Sequence, residues 1–223
     1  MQPVIHIIDD DASVRASTSF LLRSCGYATQ IYASGAEFLE RTQPADGCIL
    51  LDLRMPGMDG FQVQAELARR NVDLPILLMT GHGDVPSAVK ALKLGAHDFI
   101  EKPFAEETLL PAVEQALAAA AALSKGRSKR RHALACVARL SPREMQILRG
   151  LTAGMTNKEI ARQFDISPRT VEMHRANMMR DMACESLTDV IRIAIEAEIE
   201  PLERPRADAG DGPSMPFVQG LAA

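Results

Sequence analysis

Short apolar runs alternate with segments of helical spacing through the first half of the chain. Short runs that favour β-strands lie at 4–8, 27–32, 48–51, 75–79 and 97–100. Three of them are nearly continuous in apolar residues, as expected for strands that are covered on both faces. The intervening segments place apolar residues three or four positions apart, which is typical of amphipathic helices. Five such β/α units predict an open, doubly wound parallel sheet.

Helix start signals dominate the second half of the chain. Ser141, Thr156, Ser167 and Ser186 each precede an apolar pattern as a helix cap, and a proline or a glutamate in the first turn supports three of them. Four short helices are therefore predicted, the second and third separated by the sharp turn at 165–167 that is typical of a helix-turn-helix. The expected core residues are Met145, Leu148, Leu151, Ile160, Phe164, Val171, Ile191 and Ile195.

The two halves are joined by a segment that contains basic residues and no acidic ones. A last helix of the first half is predicted over 106–123, and Pro111 suggests that its regular part begins near Leu109. Residues 124–136 are predicted to be a basic, mobile linker and residues 201–223 a disordered tail rich in proline and glycine. The predicted domains are then 1–123 and 137–200.

The charge of the chain is divided between these halves. The 223 residues carry a net charge of -4, but the first half is acidic and residues 125–200 are basic, which favours a polyanionic partner for the second domain. No signal peptide or apolar run of bilayer length is visible, so no membrane association is expected. The four cysteines lack paired spacing, which indicates buried thiols and a cytoplasmic location.

Carboxylates follow two of the predicted strands. Asp9, Asp10 and Asp11 come directly after the first strand, and Asp52 closes the third. Adjacent parallel strands end at one crevice, so these side chains are expected to converge there. Clustered carboxylates repel one another unless a cation neutralises them, and an oxygen-only ligand set favours Mg²⁺.

Two more strand ends suggest a phosphoryl site. Thr80 ends the fourth strand and can donate its hydroxyl to a phosphoryl oxygen, while Lys102 ends the fifth and can offset the charge of an acyl phosphate. The Lys102–Pro103 peptide is a candidate for the cis form.

The first half resembles the receiver domain of two-component response regulators. The resemblance covers about residues 3–120 and rests on IIDDD, LLDLRMPGMDG, LLMTGHGDVPSAVKA and GAHDFIEKPF, in that order. It implies a flavodoxin-like fold with strand order 2-1-3-4-5. It also implies phosphorylation of Asp52, Mg²⁺ binding by Asp9, Asp10, Asp52 and the main-chain carbonyl of Arg54, and a switch formed by Thr80 and Phe99. A sensor histidine kinase is the implied phosphoryl donor, whereas His6 is expected to be a packed core residue.

The second half resembles the LuxR/NarL type of DNA-binding domain, and the whole chain is similar to FixJ-type regulators. The segment LSPREMQILRGLTAGMTNKEIARQFDISPRTVEMHRANMMRDM carries this resemblance, with the recognition helix from Pro168 to about Met182. Such a helix lies in the major groove of double-stranded promoter DNA. Base-facing positions match Glu172, Met173 and Ala176. The candidates for phosphate contacts are Arg169, Thr170, His174, Arg175, Asn177 and Arg180, with Asn157 and Lys158 on the supporting helix.

The resemblance implies a transcription factor rather than an enzyme. A phosphohydrolase with an aspartate nucleophile would need a further acid/base carboxylate, which is not evident. A receiver that acts without phosphorylation is disfavoured because Asp10, Asp52, Thr80 and Lys102 are all present. Homodimerisation on phosphorylation and contact with RNA polymerase are expected. Opposite charges for a two-fold interface are offered by Lys90, Lys93, Asp98 and Glu101. Release of the DNA-binding domain is the alternative route of activation.

Overall fold

Two compact units form the protein. The computed structural model describes residues 2–41, 46–81 and 85–203, and the boundary between the units falls between Ser128 and Lys129. Within the described residues, no helix combines the length and the apolar character needed to cross a membrane.

The first unit is built on one five-stranded parallel sheet. Its strands have the order β2-β1-β3-β4-β5, which confirms the predicted fold class. Each strand lies within one residue of the run that predicted it, because continuous apolar runs are the strongest signal for buried strands. The strands are β1 Val4–Ile8, β2 Ala28–Tyr32, β3 Gly47–Asp52, β4 Ile76–Thr80 and β5 Asp98–Glu101.

Helices cover both faces of this sheet. On one face the core contains Leu22 of α1 and Val113 of α5, and on the other it contains Phe38 of α2, Val63 of α3 and Ala91 of α4. With both faces covered by helices, the acidic side chains of the sheet lie at the ends of the strands. The helices are α1 Ala12–Ser24, α2 Gly35–Arg41, α3 Gly60–Arg69, α4 Val85–Lys93 and α5 Glu106–Val137.

Helix α5 has the predicted first residue, but it differs from the prediction in its regular start, expected near Leu109, and in its end. It begins at Glu106 and contains Pro111 within its second turn. The proline is exposed, so the main-chain carbonyl group that it leaves without a helical partner can face water. The helix also continues through 124–136, the segment predicted to be a mobile linker. This segment contains no proline and is rich in alanine, lysine and arginine, and those preferences outweigh the cost of about 1 kcal/mol for Gly126.

The second unit contains the four predicted helices. Each begins at the predicted cap: the side chains of Ser141, Thr156, Ser167 and Ser186 accept a hydrogen bond from a first-turn main-chain N–H. Two complete capping boxes occur, at α6 and α7. The helices are α6 Pro142–Thr152, α7 Asn157–Gln163, α8 Pro168–Asp181 and α9 Leu187–Glu196.

The core of the second unit agrees with the prediction except on α9. Leu148, Leu151, Ile160 and Val171 are buried, whereas Ile195 is 67% exposed. The buried side of α9 consists of Val190, Ile193 and Ala194. The prediction chose the wrong side of this helix as the one that faces the core.

The predicted tail begins later than expected. The N–H of Leu202 donates to the carbonyl of Arg149 at 2.9 Å, and the Leu202 side chain packs against the core of the second unit. The first residues after 200 therefore belong to the packed unit. Residues 204–223 of the predicted tail lie outside the described residues, and so do residues 82–84 of the third receiver-like motif.

Candidate functional site: an acidic strand-end cluster and an exposed helix

Three carboxylates converge at the carboxyl ends of β1 and β3. One carboxylate oxygen each from Asp9, Asp10 and Asp52 lies within 4.8 Å of the others. Asp9 is 1% and Asp52 5% exposed, whereas Asp10 faces solvent. The neighbouring position of β1 and β3 produces this convergence, since their residues pair from Val4 with Gly47 to Ile8 with Leu51.

Lys102 bridges the two buried carboxylates. Its Nζ lies 2.5 Å from Asp9 Oδ2 and 2.6 Å from Asp52 Oδ1. Its main-chain N–H donates to the carbonyl of Thr80 at 2.7 Å, and the Lys102–Pro103 peptide is cis as predicted. The end of β5 is thereby held beside the end of β4.

Burial and ion pairing shift the pKa values of Asp52 and Lys102 in opposite directions. Burial raises the pKa of Asp52 above its ordinary value, while Lys102 opposes this shift and the charges of Asp9 and Asp10 add to it. Burial alone would lower the pKa of Lys102, but hydrogen bonds and charge from Asp52 and Asp9 outweigh it and raise that pKa. Lys102 therefore stays an ammonium group, and the cluster remains rich in negative charge.

The Asp11 side chain stabilises the start of α1 and does not join the carboxylate cluster. Its side chain accepts from the main-chain N–H groups of Ser13 and Val14 and so caps α1. Its own N–H donates to Asp9 Oδ1 at 2.9 Å. Of the three consecutive aspartates, only Asp9 and Asp10 point their carboxylates to the strand-end crevice.

The remaining residues expected at the phosphoryl site lie on β4, on β5 and in the loop after β3. Thr80 is fully buried at the end of β4, and Phe99 is half-buried against the core on β5. The main-chain N–H of Arg54 donates to Asp52 Oδ2 at 3.2 Å, which places the loop after β3 against the carboxylate.

Two residues that support this site were not found from the sequence. Arg15 of α1 donates from Nη1 to the carbonyl of Asp9 at 2.7 Å and so holds the turn that carries Asp9 and Asp10. Gly60 begins α3 so close to the third strand that a Cβ there would lie 2.7 Å from the carbonyl oxygen of Asp52. A glycine at a helix start carries no distinctive signal, and neither does an arginine on an amphipathic helix.

Helix α8 of the second unit exposes one stripe of side chains that contains charged and apolar residues. Arg169, Glu172, Met173, Ala176 and Arg180 are all exposed and follow one another at intervals of three, one, three and four residues. Such spacing places them along one side of the helix. Val171 and Met178 are buried on the other side. The three residues expected to face bases therefore lie on the solvent side, between two arginines.

Other predicted contacts of this helix are engaged within the unit. Arg175 donates from Nη1 to Asn157 Oδ1 at 2.7 Å, and the hydroxyl oxygens of Thr170 and Ser167 lie 2.8 Å apart. The first bond connects the start of α7 with α8, and the second lies within the cap of α8. Lys158 is exposed and Asn177 is half-buried.

His174, predicted to contact a phosphate, is largely enclosed within the second unit. Its side chain is only 19% exposed and its Nδ1 lies 4.0 Å from Glu144 Oε1 of α6. The position falls three residues after Val171 and four before Met178, so the helix turns it inward. The histidine therefore belongs to the α6–α8 contact.

Comparison with known proteins decides the family. Residues 5–114 match the response regulator receiver domain, and residues 138–194 match the bacterial regulatory proteins of the luxR family. The chain is 45% identical to the transcriptional regulatory protein FixJ of Bradyrhizobium diazoefficiens over 194 residues. These residues cover 86% of this chain and 95% of that protein. The chain belongs to the FixJ-like response regulators.

Two further relatives agree with this assignment. The response regulator protein TmoT of Ectopseudomonas mendocina is 42% identical over 193 residues, which are 86% of this chain and 88% of that protein. The solved structure of the response regulator StyR has a TM-score of 0.76 and 36% identity, and the match covers 88% of this chain and all of StyR. The protein is thus a two-component response regulator with a receiver domain and a LuxR-type DNA-binding domain. Its family regulates transcription and is not a class of enzymes.

The α4–β5 face of this response regulator carries the residues expected at a dimer interface. Lys93 and Glu101 are exposed, and Asp98 is half-buried, with Oδ1 accepting from the N–H of Phe99. Lys90 instead lies over the ring of Phe61, 4.0 Å from its centroid.

This face also exposes apolar residues that were not expected there. Val85, Val89 and Leu92 of α4 are 76%, 44% and 50% exposed. Their spacing of four and three residues gives one apolar stripe along the helix. From the sequence alone, this spacing predicts the side of an amphipathic helix that faces the core.

Proposed function

We propose that this response regulator is a phosphorylation-dependent transcription factor that receives its phosphoryl group on Asp52 from a sensor histidine kinase. The observation that carries the proposal is the bridge from Lys102 to Asp52 and Asp9 at the strand ends. The same chain presents an exposed stripe of charged and apolar side chains on α8, so one molecule combines an acceptor with a DNA-reading surface.

The acceptor step is a phosphoryl transfer. A carboxylate oxygen of Asp52 attacks the phosphorus atom of a phosphohistidine, an O–P bond forms, and the P–N bond breaks. The imidazole leaves with the electron pair of that bond. Lys102 offsets the charge on the phosphoryl oxygens, and the hydroxyl of Thr80 donates to one of them.

The ligand chemistry of the cluster fits Mg²⁺. Three carboxylate oxygens within 4.8 Å of one another form the all-oxygen set that this ion prefers. Asp10, Asp52 and the carbonyl of Arg54 would hold it, with Asp9 beside them. When bound, Mg²⁺ supplies positive charge that brings the phosphoryl oxygens and the carboxylates together.

Phosphorylation then changes the α4–β5 face. The added group brings nearly two negative charges and new acceptor oxygens. Thr80 moves toward them and Phe99 fills the space that it leaves, which biases the arrangement of α4 and β5. The apolar stripe of α4 and the charges of Lys93, Asp98 and Glu101 support dimerisation through this face.

Dimerisation would give the DNA-binding domain its affinity. Each LuxR-type domain reads one half-site, and joining two weak binding events raises affinity through effective concentration. On each copy, Glu172, Met173 and Ala176 face base edges, while Arg169 and Arg180 contact phosphates. Recruitment of RNA polymerase at the promoter completes the proposed function.

The acceptor is tested with a matched pair of aspartate variants. Acetyl phosphate with Mg²⁺ should phosphorylate the wild type and Asp11→Asn, because Asn keeps the cap of α1. Asp52→Asn should take up no phosphate, measured by intact mass and phosphate-affinity electrophoresis. Phosphate retained on another residue of Asp52→Asn would contradict the assignment.

The dimer is tested by light scattering at matched protein concentration. Beryllofluoride should convert wild-type monomer to dimer, and Lys93→Glu should abolish the change because it places like charges across the interface. Arg41→Glu, at an exposed position of α2, is the charge-matched control. A dimer of equal strength without beryllofluoride would favour release of the DNA-binding domain instead.

A further inference from the structure

One histidine of the recognition helix faces the protein instead of the solvent. His174 lies between Met173, which is 53% exposed, and Arg175. Its Nδ1 atom is buried and, among the described residues, has no hydrogen-bond partner. A buried polar nitrogen without a partner costs free energy, so such an atom calls for an explanation.

The nearest acidic group is Glu144 at the start of α6. This glutamate is buried, and its Oε2 accepts from the N–H of Ser141 at 2.9 Å and from its hydroxyl at 2.6 Å. Its other oxygen, Oε1, lies 4.0 Å from His174 Nδ1. That distance is too long for a hydrogen bond, but a shift of about 1 Å closes it. One glutamate can therefore cap α6 with one oxygen and hold α8 with the other.

We propose that His174 is a positioning residue for DNA recognition. In the DNA-bound domain, its Nδ1–H donates to Glu144 Oε1 and fixes the rotation of α8 against α6. This inference rests on the proposed DNA binding by α8.

The physical reason lies in the geometry of base recognition. Side chains project roughly 5–6 Å from a helix axis, so a rotation of about 20° moves their ends by about 2 Å. Hydrogen bonds to base edges do not survive such a displacement, whereas contacts from flexible arginines to phosphates do. Loss of the His174–Glu144 bond should therefore reduce sequence preference more than overall affinity.

Three substitutions separate the hydrogen bond from packing. His174→Asn keeps a donor at the position of Nδ1, His174→Gln carries its amide nitrogen further out, toward the position of Nε2, and His174→Leu removes both. Thermal unfolding of the full-length protein checks that each variant folds.

DNA preference is measured in two ways on the beryllofluoride-activated protein. A randomised duplex pool gives the sequence that the wild type selects, and each variant is then titrated with that duplex and with a random-sequence duplex at several salt concentrations. His174→Leu and His174→Gln should lose about tenfold in preference for the selected duplex, which corresponds to about 1.4 kcal/mol, while His174→Asn stays within about twofold of wild type. The salt slope on random duplex should not change.

Two results would overturn this inference and leave the proposed DNA recognition intact. If His174→Asn behaved like His174→Leu, the imidazole would act through packing alone. If His174→Leu lowered the salt slope on random duplex by about 0.9, the histidine would contact a phosphate directly. A wild-type protein that selected no sequence would overturn the proposed DNA recognition itself, and this inference with it.

Discussion

The acidic site of the receiver and the exposed stripe of α8 are built in opposite ways. In the receiver, Asp9, Asp52 and Lys102 are charged groups held at the ends of buried strands, and each depends on the others for neutralisation. On α8, Arg169 and Met173 face solvent and depend on the helix only for their direction. A change in the receiver cluster should therefore affect charge balance and chemistry together, whereas a change on α8 should affect binding alone.

The largest effect should come from removing the receiver cation. Lys102→Met leaves two buried carboxylates without their bridging ammonium and removes the charge that offsets the phosphoryl group. We expect the rate of phosphorylation by acetyl phosphate to fall about 10²- to 10³-fold. Stopped-flow measurements with Lys93→Met as the control check this. A wild-type rate in Lys102→Met would mean that the bridge is only structural.

The buried core of the receiver should also make it sensitive to acid. Burial lowers the pKa of His6 to about 4 from its ordinary value of 6.5. The unfolded chain takes up a proton below about pH 6.5, but the folded receiver does so only below about pH 4. Stability is therefore lost as the pH falls through this window, by about 3 kcal/mol in total.

A non-titrating substitution tests this dependence. His6→Asn should flatten the change of unfolding free energy between pH 6.5 and pH 4, measured by urea unfolding. His132→Asn, at an exposed position of α5, is the matched control. Equal slopes for wild type and His6→Asn would place the acid sensitivity elsewhere in the protein.

The two regions were not equally predictable. The convergence of Asp9, Asp10 and Asp52 followed from strand ends, since parallel topology brings those ends together whatever the side-chain details. The burial of a helical residue is harder to predict, because a helix rotated by one position exchanges buried side chains for exposed ones. Ile195 was assigned to the wrong side of α9 for this reason.

Predictions of helix caps were more reliable than predictions of which side of a helix is buried. All four predicted caps of the second unit are present because a cap depends only on its own first turn. The continuation of α5 past 124 depends instead on a balance of weak preferences, which a run of basic residues does not reveal.

The exposed stripe of α8 should divide into two kinds of contact. Arg169→Ala should weaken binding to specific and random duplexes alike and lower the salt slope by about 0.9, as for one lost phosphate contact. Met173→Ala should instead change the selected sequence, with about 1–3 kcal/mol of preference lost at one base pair. Fluorescence anisotropy at several salt concentrations measures both. If the two variants shifted all duplexes uniformly, the stripe would bind only the DNA backbone.

The smallest effect should come from the helix caps, and it should be the same in both domains. Asp11 caps α1 of the receiver and Ser186 caps α9 of the DNA-binding domain, each through a side-chain oxygen that accepts from the first turn. Because a cap satisfies local N–H groups in either setting, Asp11→Ala and Ser186→Ala should each cost about 1 kcal/mol. Hydrogen exchange measured by mass spectrometry reports the loss in each domain separately, with Ser186→Thr as the conservative control. A much larger loss for Asp11→Ala would show that its N-terminal turn, which also holds Asp9, shares the interdependence of the acidic cluster.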